Sequence, residues 1–266
     1  MIKLRIAILA SIVSVVVIST VIAGARNRSL PADYGRVILR NHVGDTGLSP
    51  VVFDHWLHRS KFTCRLCHVD IGFAMKAGET DVTAATNMQG LYCGTCHNGK
   101  RIISDKKIFA SCEKTVTPEN RARCERCHSL GKKGVREYEF TAYTQKLPKT
   151  SIGSGIDWEE AENKGIIKPI DVLEGLSVKR PPLKVQKDFS IESKAAWMED
   201  VVFSHKKHAL WNGCEVCHPE LFMGRKRGAT KYSMKEIEQG KFCGVCHGKV
   251  AFPLIDCQRC HAKPMQ

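Results

Sequence analysis

One pattern limits what this chain can fold into. Cys-x-x-Cys-His occurs six times, at Cys64-Cys67-His68, Cys93-Cys96-His97, Cys124-Cys127-His128, Cys214-Cys217-His218, Cys243-Cys246-His247 and Cys257-Cys260-His261. These motifs use twelve of the 13 cysteines and leave only Cys112 outside. So many cysteines argue against a reducing compartment. A lone CxxC can hold zinc, exchange disulfides or anchor a c-type heme. Histidine is 11 of 266 residues, so six chance placements after six pairs have a probability on the order of 10⁻⁸. Structural zinc draws four ligands from two nearby pairs and needs no histidine at that position. Thioredoxin-like chemistry needs one motif in a βαβ unit. Heme accounts for the whole pattern. The two thiols form thioethers to the porphyrin, and the adjacent histidine becomes the proximal iron ligand. The sequence therefore predicts six covalently bound heme c groups.

The motifs fall into two groups of three, and the groups are copies. VVFDHWLHRSKFTCRLCH from Val51 aligns with VVFSHKKHALWNGCEVCH from Val201 at an offset of 150 residues. Gly78, Thr80 and Gly90 match Gly228, Thr230 and Gly240 at the same offset, and YCGTCH matches FCGVCH. After His97 the offset breaks. There 26 residues precede Cys124, whereas 9 separate His247 from Cys257, so the first copy carries an insertion containing Cys112. The expected organisation is a leader at 1–28, a first module at 29–130, a connector at 131–200 and a second module at 201–266. The connector has no cysteine or histidine. It is expected to be ordered, with loops and one short helix started by Asp157 and Glu160 and stopped at Gly165. Ser233 with Glu236 predicts a second short helix ending at Gly240, and Thr83–Gly90 a third. No alternating apolar run argues for a sheet.

Formal charge is +14. Two propionates per heme bring roughly −12, which leaves the loaded protein near neutral. Lysines and arginines are then partners of propionates, and no basic run with interleaved aromatics points to nucleic acid. At the N-terminus, Lys3 and Arg5 precede Ile6–Ala25, which carries no charge and is about 20 residues, long enough to span a bilayer. An uncleaved transmembrane anchor is favoured by that length, while Ala23-Gly24-Ala25 also fits cleavage after Ala25. Either reading puts the remainder on the periplasmic side of a bacterial cytoplasmic membrane.

Five histidines remain for the distal sides: His42, His55, His58, His205 and His208. Six hemes cannot all take two histidines from this chain. Four of the five form FxHxxH pairs at the repeat offset, and residues three apart share one helix face.

FSHKKH, CEVCH, CGVCH and CQRCH resemble a triheme cytochrome c7 module, and the chain resembles two such modules in tandem over about residues 50–130 and 200–262. The resemblance implies that His55 faces His68, His58 faces His97, His205 faces His218 and His208 faces His247. Small members with two histidines on every iron have a third distal histidine before the second CxxCH, where this chain has Gln89 and Gln239. Other modules of the family use a methionine there. That points to Met234 for the sixth heme and to Met88, displaced toward its motif, for the third. His42, Met75 and Cys112 compete for the third.

The expected fold is mainly α and irregular. Hemes form the core, and two repeated triheme modules follow an N-terminal transmembrane helix. The expected function is electron transport between a quinol-linked membrane enzyme and periplasmic or extracellular acceptors, with redox proteins as partners and no catalytic residues. A fixed subunit of a membrane respiratory complex and a reductase with one open heme are the alternatives.

Overall fold

The computed structural model describes residues 30–40, 47–131, 135–181, 187–223 and 228–263, with the side chains of 135–138 and 263 excepted. The leader at 1–28 and His42 lie outside the described residues. Among the described residues no helix is long and apolar enough to cross a membrane.

Each module opens with a short antiparallel sheet. In the first, β1 (Arg36–Leu39) pairs with β2 (Val51–Asp54), Val37 opposite Phe53 and Ile38 opposite Val52. In the second, β5 (Phe189–Ile191) pairs with β6 (Asp200–Phe203), and β6 also pairs with β7 (His261–Lys263). These strands depart from the sequence expectation of no sheet. Their three or four residues are too few for a period of two to stand out, although β2 does alternate half-buried and buried positions. The insertion adds a two-residue hairpin, β3 (Ile102–Ile103) with β4 (Lys106–Lys107).

The first strand hydrogen-bonded to a motif runs directly into the histidine helix. α1 (His55–Arg59) follows β2, and α6 (His205–Asn212) follows β6. The backbone N–H of Val52 donates to Cys127 O at 2.8 Å, and that of Val202 donates to Cys260 O at 2.9 Å. The last motif of each module is thereby tied to the strand that leads into its FxHxxH histidines.

α2 (Ala84–Met88) carries a capping box between Thr83 and Thr86. Its copy α7 (Met234–Glu238) starts on Ser233, whose side chain accepts from Glu236 N–H. Gly90 and Gly240 follow with φ of 84° and 83°, a conformation open to glycine. Each helix then packs on the 3-10 turn of the second motif, Tyr92–Thr95 or Phe242–Val245. In the insertion, α3 (Pro118–Cys124) has its own capping box from Thr117 and Asn120 and ends on an anchoring cysteine.

The connector contains α4 (Val135–Thr144) and α5 (Trp158–Asn163). Asp157 Oδ1 accepts from Glu160 N–H at 3.0 Å, and Gly165 has φ 66°. Ala32, Trp56, Phe140, Leu147, Ile156, Ala161 and Ile167 form a buried cluster with Leu57 and Trp158 against it. Five of those seven residues belong to the connector. Ordinary side-chain packing therefore lies beside the motifs, and the cysteines and histidines sit around a hollow. Ile170 N–H donates to Lys61 O at 2.7 Å and Thr63 N–H to Ile170 O at 3.1 Å, so the connector is laced to the first module ahead of Cys64.

Candidate functional site: a cavity walled by histidines and cysteines

A cavity of about 3310 Å³ runs through both modules. That exceeds the ~300–1,000 Å³ of a single-ligand site and leaves room for several prosthetic groups. Eleven of the twelve motif cysteines line it, with His68, His97, His218, His247 and His261. Cys124 and His128 are not among its lining residues. No disulfide joins any of the 13 cysteines. Burial pushes the thiols of Cys67, Cys93 and Cys246 up to about 12 and those of Cys217 and Cys260 up to about 11, the mark of apolar surroundings.

The histidines are held in one tautomer. Nδ1 lies at hydrogen-bond distance from a backbone carbonyl in His55 (Gly35, 2.7 Å), His68 (Phe73, 2.9 Å) and His128 (Ser49, 2.7 Å). The same holds for His208 (Ser204, 2.8 Å), His218 (Phe222, 2.8 Å), His247 (Phe252, 3.3 Å) and His261 (Glu199, 2.6 Å). A carbonyl only accepts, so Nδ1 carries the proton and the Nε2 lone pair is left for a metal. Nδ1 of His58 and of His97 is directed toward Asp54 and Phe109 carbonyls, short of hydrogen-bond geometry. Burial also draws His58 and His247 down to about 4, which keeps these imidazoles neutral, the form that binds metal.

The rings meet in pairs. His55 and His68 are 6.5 Å apart between centroids with planes 5° from parallel. His58 and His97 are 6.3 Å apart, and His208 and His247 are 6.2 Å apart. Two metal–nitrogen bonds of about 2.0–2.1 Å, plus roughly 1.1 Å from each nitrogen to its ring centre, give roughly 6.3 Å for imidazoles on opposite sides of one metal. His205 is held differently, its ring against Phe189 at 5.8 Å and Phe203 at 5.9 Å. Met234 and Met75 line the cavity and Met88 does not, although Met234 and Met88 are similarly exposed, at 47 % and 45 %. Cys112 accepts a weak contact from Asn87 Nδ2 at 3.7 Å.

Sequence reasoning missed the carbonyls that orient the imidazoles and the aromatic side chains between them. Phe53 lies 4.5 Å from the His58 ring and Phe203 lies 4.5 Å from the His208 ring. The phenylalanine in FxHxxH was the available signal, since it recurs with the histidines. The glycine in CGTCH and CGVCH was another. A Cβ on Gly94 would stand 1.8 Å from Asn87 O, and one on Gly244 would stand 1.8 Å from Ile237 O.

These residues fit covalently attached iron porphyrin. Paired free thiols flank a hollow, and each is followed by an imidazole with its metal-binding nitrogen unused. A cavity with this wall defines a c-type cytochrome carrying several hemes. The family model for cytochrome c7 and related cytochrome c matches residues 51–129 and 201–262, and the chain belongs to that family. It binds heme c, and its family implies electron transfer. A solved c7-type three-heme cytochrome domain is 36 % identical, with 30 % of this chain and 99 % of that one covered and a TM-score of 0.27. The C-terminal hexaheme fragment of a dodecaheme cytochrome c is 24 % identical over 85 % of this chain and 96 % of that one, TM-score 0.25. The dodecaheme protein itself is 24 % identical over 85 % of this chain and 73 % of that one, TM-score 0.26. No curated protein matches the chain at a significant level.

Proposed function

We propose that the protein carries electrons along six heme c groups between a quinol-linked membrane enzyme and periplasmic or extracellular acceptors. Heme supplies a one-electron iron couple, and the chain's own residues hold it and tune it. The observation that carries this reading is the set of three facing imidazole pairs at 6.2–6.5 Å. Two protein ligands on an iron leave no position for substrate, which favours transport over reduction of a small molecule. Four of these six histidines belong to the predicted first and second hemes of the first module, and two to the second heme of the second module.

His205 with His218 completes the fourth site in this reading, by the repeat. Met234, on the cavity wall at the start of α7, serves the sixth with His261. The apolar run Ile6–Ala25 supports attachment at the outer face of the cytoplasmic membrane, or export after cleavage. Intact mass of the protein matured with its hemes tests the number. Six added heme masses support the reading, and fewer than six reject it. Binding of carbon monoxide by the reduced protein would reject closed coordination.

A further inference from the structure

The modules do not meet where the chain order leads. In sequence the fourth motif follows the third. In space the first motif faces the fourth. Arg65, the residue after Cys64, is 3 % exposed and lies between two carboxylates, with Nη1 3.2 Å from Asp70 and Nη2 2.7 Å from Asp171 of the connector. Arg180, also of the connector, bridges the modules. Its Nη1 lies 3.2 Å from Asp70 and its Nε 2.7 Å from Glu215. Glu215 holds in CEVCH the position that Arg65 holds in CRLCH.

The approach is close. Gly213 has φ +65°, and a Cβ there would lie 2.5 Å from Arg65 Cδ and 2.8 Å from a Glu215 carboxylate oxygen. Its counterpart in the first copy is Thr63, whose hydroxyl donates to Asp171 at 2.9 Å. At this repeat position the second copy leaves room for Arg65, while the first copy is tied to the connector.

We infer that the first motif is the electronic junction of the protein, clamped against the fourth motif by Arg65, Asp70, Asp171, Arg180 and Glu215. The modules then exchange electrons there, and not between the sequence neighbours three and four. Each exchange moves one electron, oxidising one iron site and reducing its neighbour, with no proton moved and no bond broken. This rests on the electron-carrier reading above and gives it a route.

Anomalous scattering from crystals of the mature holoprotein locates the irons without any activity assay. The shortest iron–iron vector between modules should start at the Cys64–His68 site and end at the Cys214–His218 site. A shortest vector starting at the second or third motif overturns the inference. Arg180→Glu, which touches no anchor or ligand, tests the clamp in solution. In the wild type, reducing a site in one module should lower the midpoint of a site in the other, read by potentiometric titration. Arg180→Glu should diminish that shift with visible spectra and heme count unchanged, and Arg180→Lys should retain part of it. An equal shift in Arg180→Glu overturns the clamp. Modules that titrate independently in the wild type overturn the junction and leave the carrier reading standing. Absence of heme uptake or of reversible reduction overturns the carrier reading itself.

Discussion

Replacing Gly94 by alanine tests the packing that positions the second heme motif. The new Cβ would sit 1.8 Å from Asn87 O and 2.6 Å from Asn87 C. An ordinary carbon–oxygen contact is about 3.3 Å, so α2 and the 3-10 turn must separate by roughly 1.5 Å. Both sides are backbone, with no rotamer to give way. Overpacking costs about 1–3 kcal/mol, and a backbone clash belongs at the upper end, about 3 kcal/mol. At about 2–4 °C per kcal/mol for a chain near this size, the melting temperature should fall by about 6–12 °C. Gly90→Ala is the control. It also has a positive φ, 84°, but nothing lies within 4 Å of its Cβ, so only the left-handed backbone is penalised. That costs about 1 kcal/mol, or about 2–4 °C. Calorimetry on the two holoproteins decides between them. If Gly94→Ala melts no lower than Gly90→Ala, the close approach of α2 to the CGTCH turn is wrong.

Other outcomes follow from individual residues. His208→Met should raise the midpoint of one heme of the second module, because thioether ligation favours the reduced iron; potentiometric titration reads it. Met234→Ala should abolish a long-wavelength sulfur–iron absorption band and lower the highest midpoint of the second module. Tyr34 donates to Ala251 O at 2.5 Å, and burial pushes its phenol up from 10.0 to about 12. The folded value is the raised one, so its stabilisation is complete below pH 10 and is lost as pH rises through about 12. Spectrophotometric titration should show one of the five tyrosines ionising near 12, and Tyr34→Phe should remove that step. Asp171→Ala should destabilise by about 1–3 kcal/mol, because the buried Arg65 loses one of its two carboxylates. Denaturant unfolding measures it.

The parts legible in the sequence are those that repeat or cap. Ser233–Glu236–Gly240 and Asp157–Glu160–Gly165 spell short helices locally, and α7 and α5 lie there. The FxHxxH and CxxCH copies named the histidines that meet as ring pairs, since the 150-residue offset singles them out from solvent-facing residues. Contacts between modules left no local trace. Arg65 and Glu215 occupy the variable positions of CxxCH, where any residue satisfies heme attachment, and Arg180 sits in a stretch of loops. Their meaning depends on the two modules touching, which periodicity cannot report. The strands were hidden for a different reason. Three or four residues tied to a cysteine carbonyl gain their stability from the motif beside them, not from a hydrophobic pattern of their own.

Potentiometric titration of the holoprotein with electron paramagnetic resonance readout addresses the central claim most directly. The facing pairs His55–His68, His58–His97 and His208–His247 predict low-spin ferric signals from irons with two imidazole ligands, as at least half of six titrating centres. Dominant high-spin signals, or fewer than six iron centres, would contradict the account.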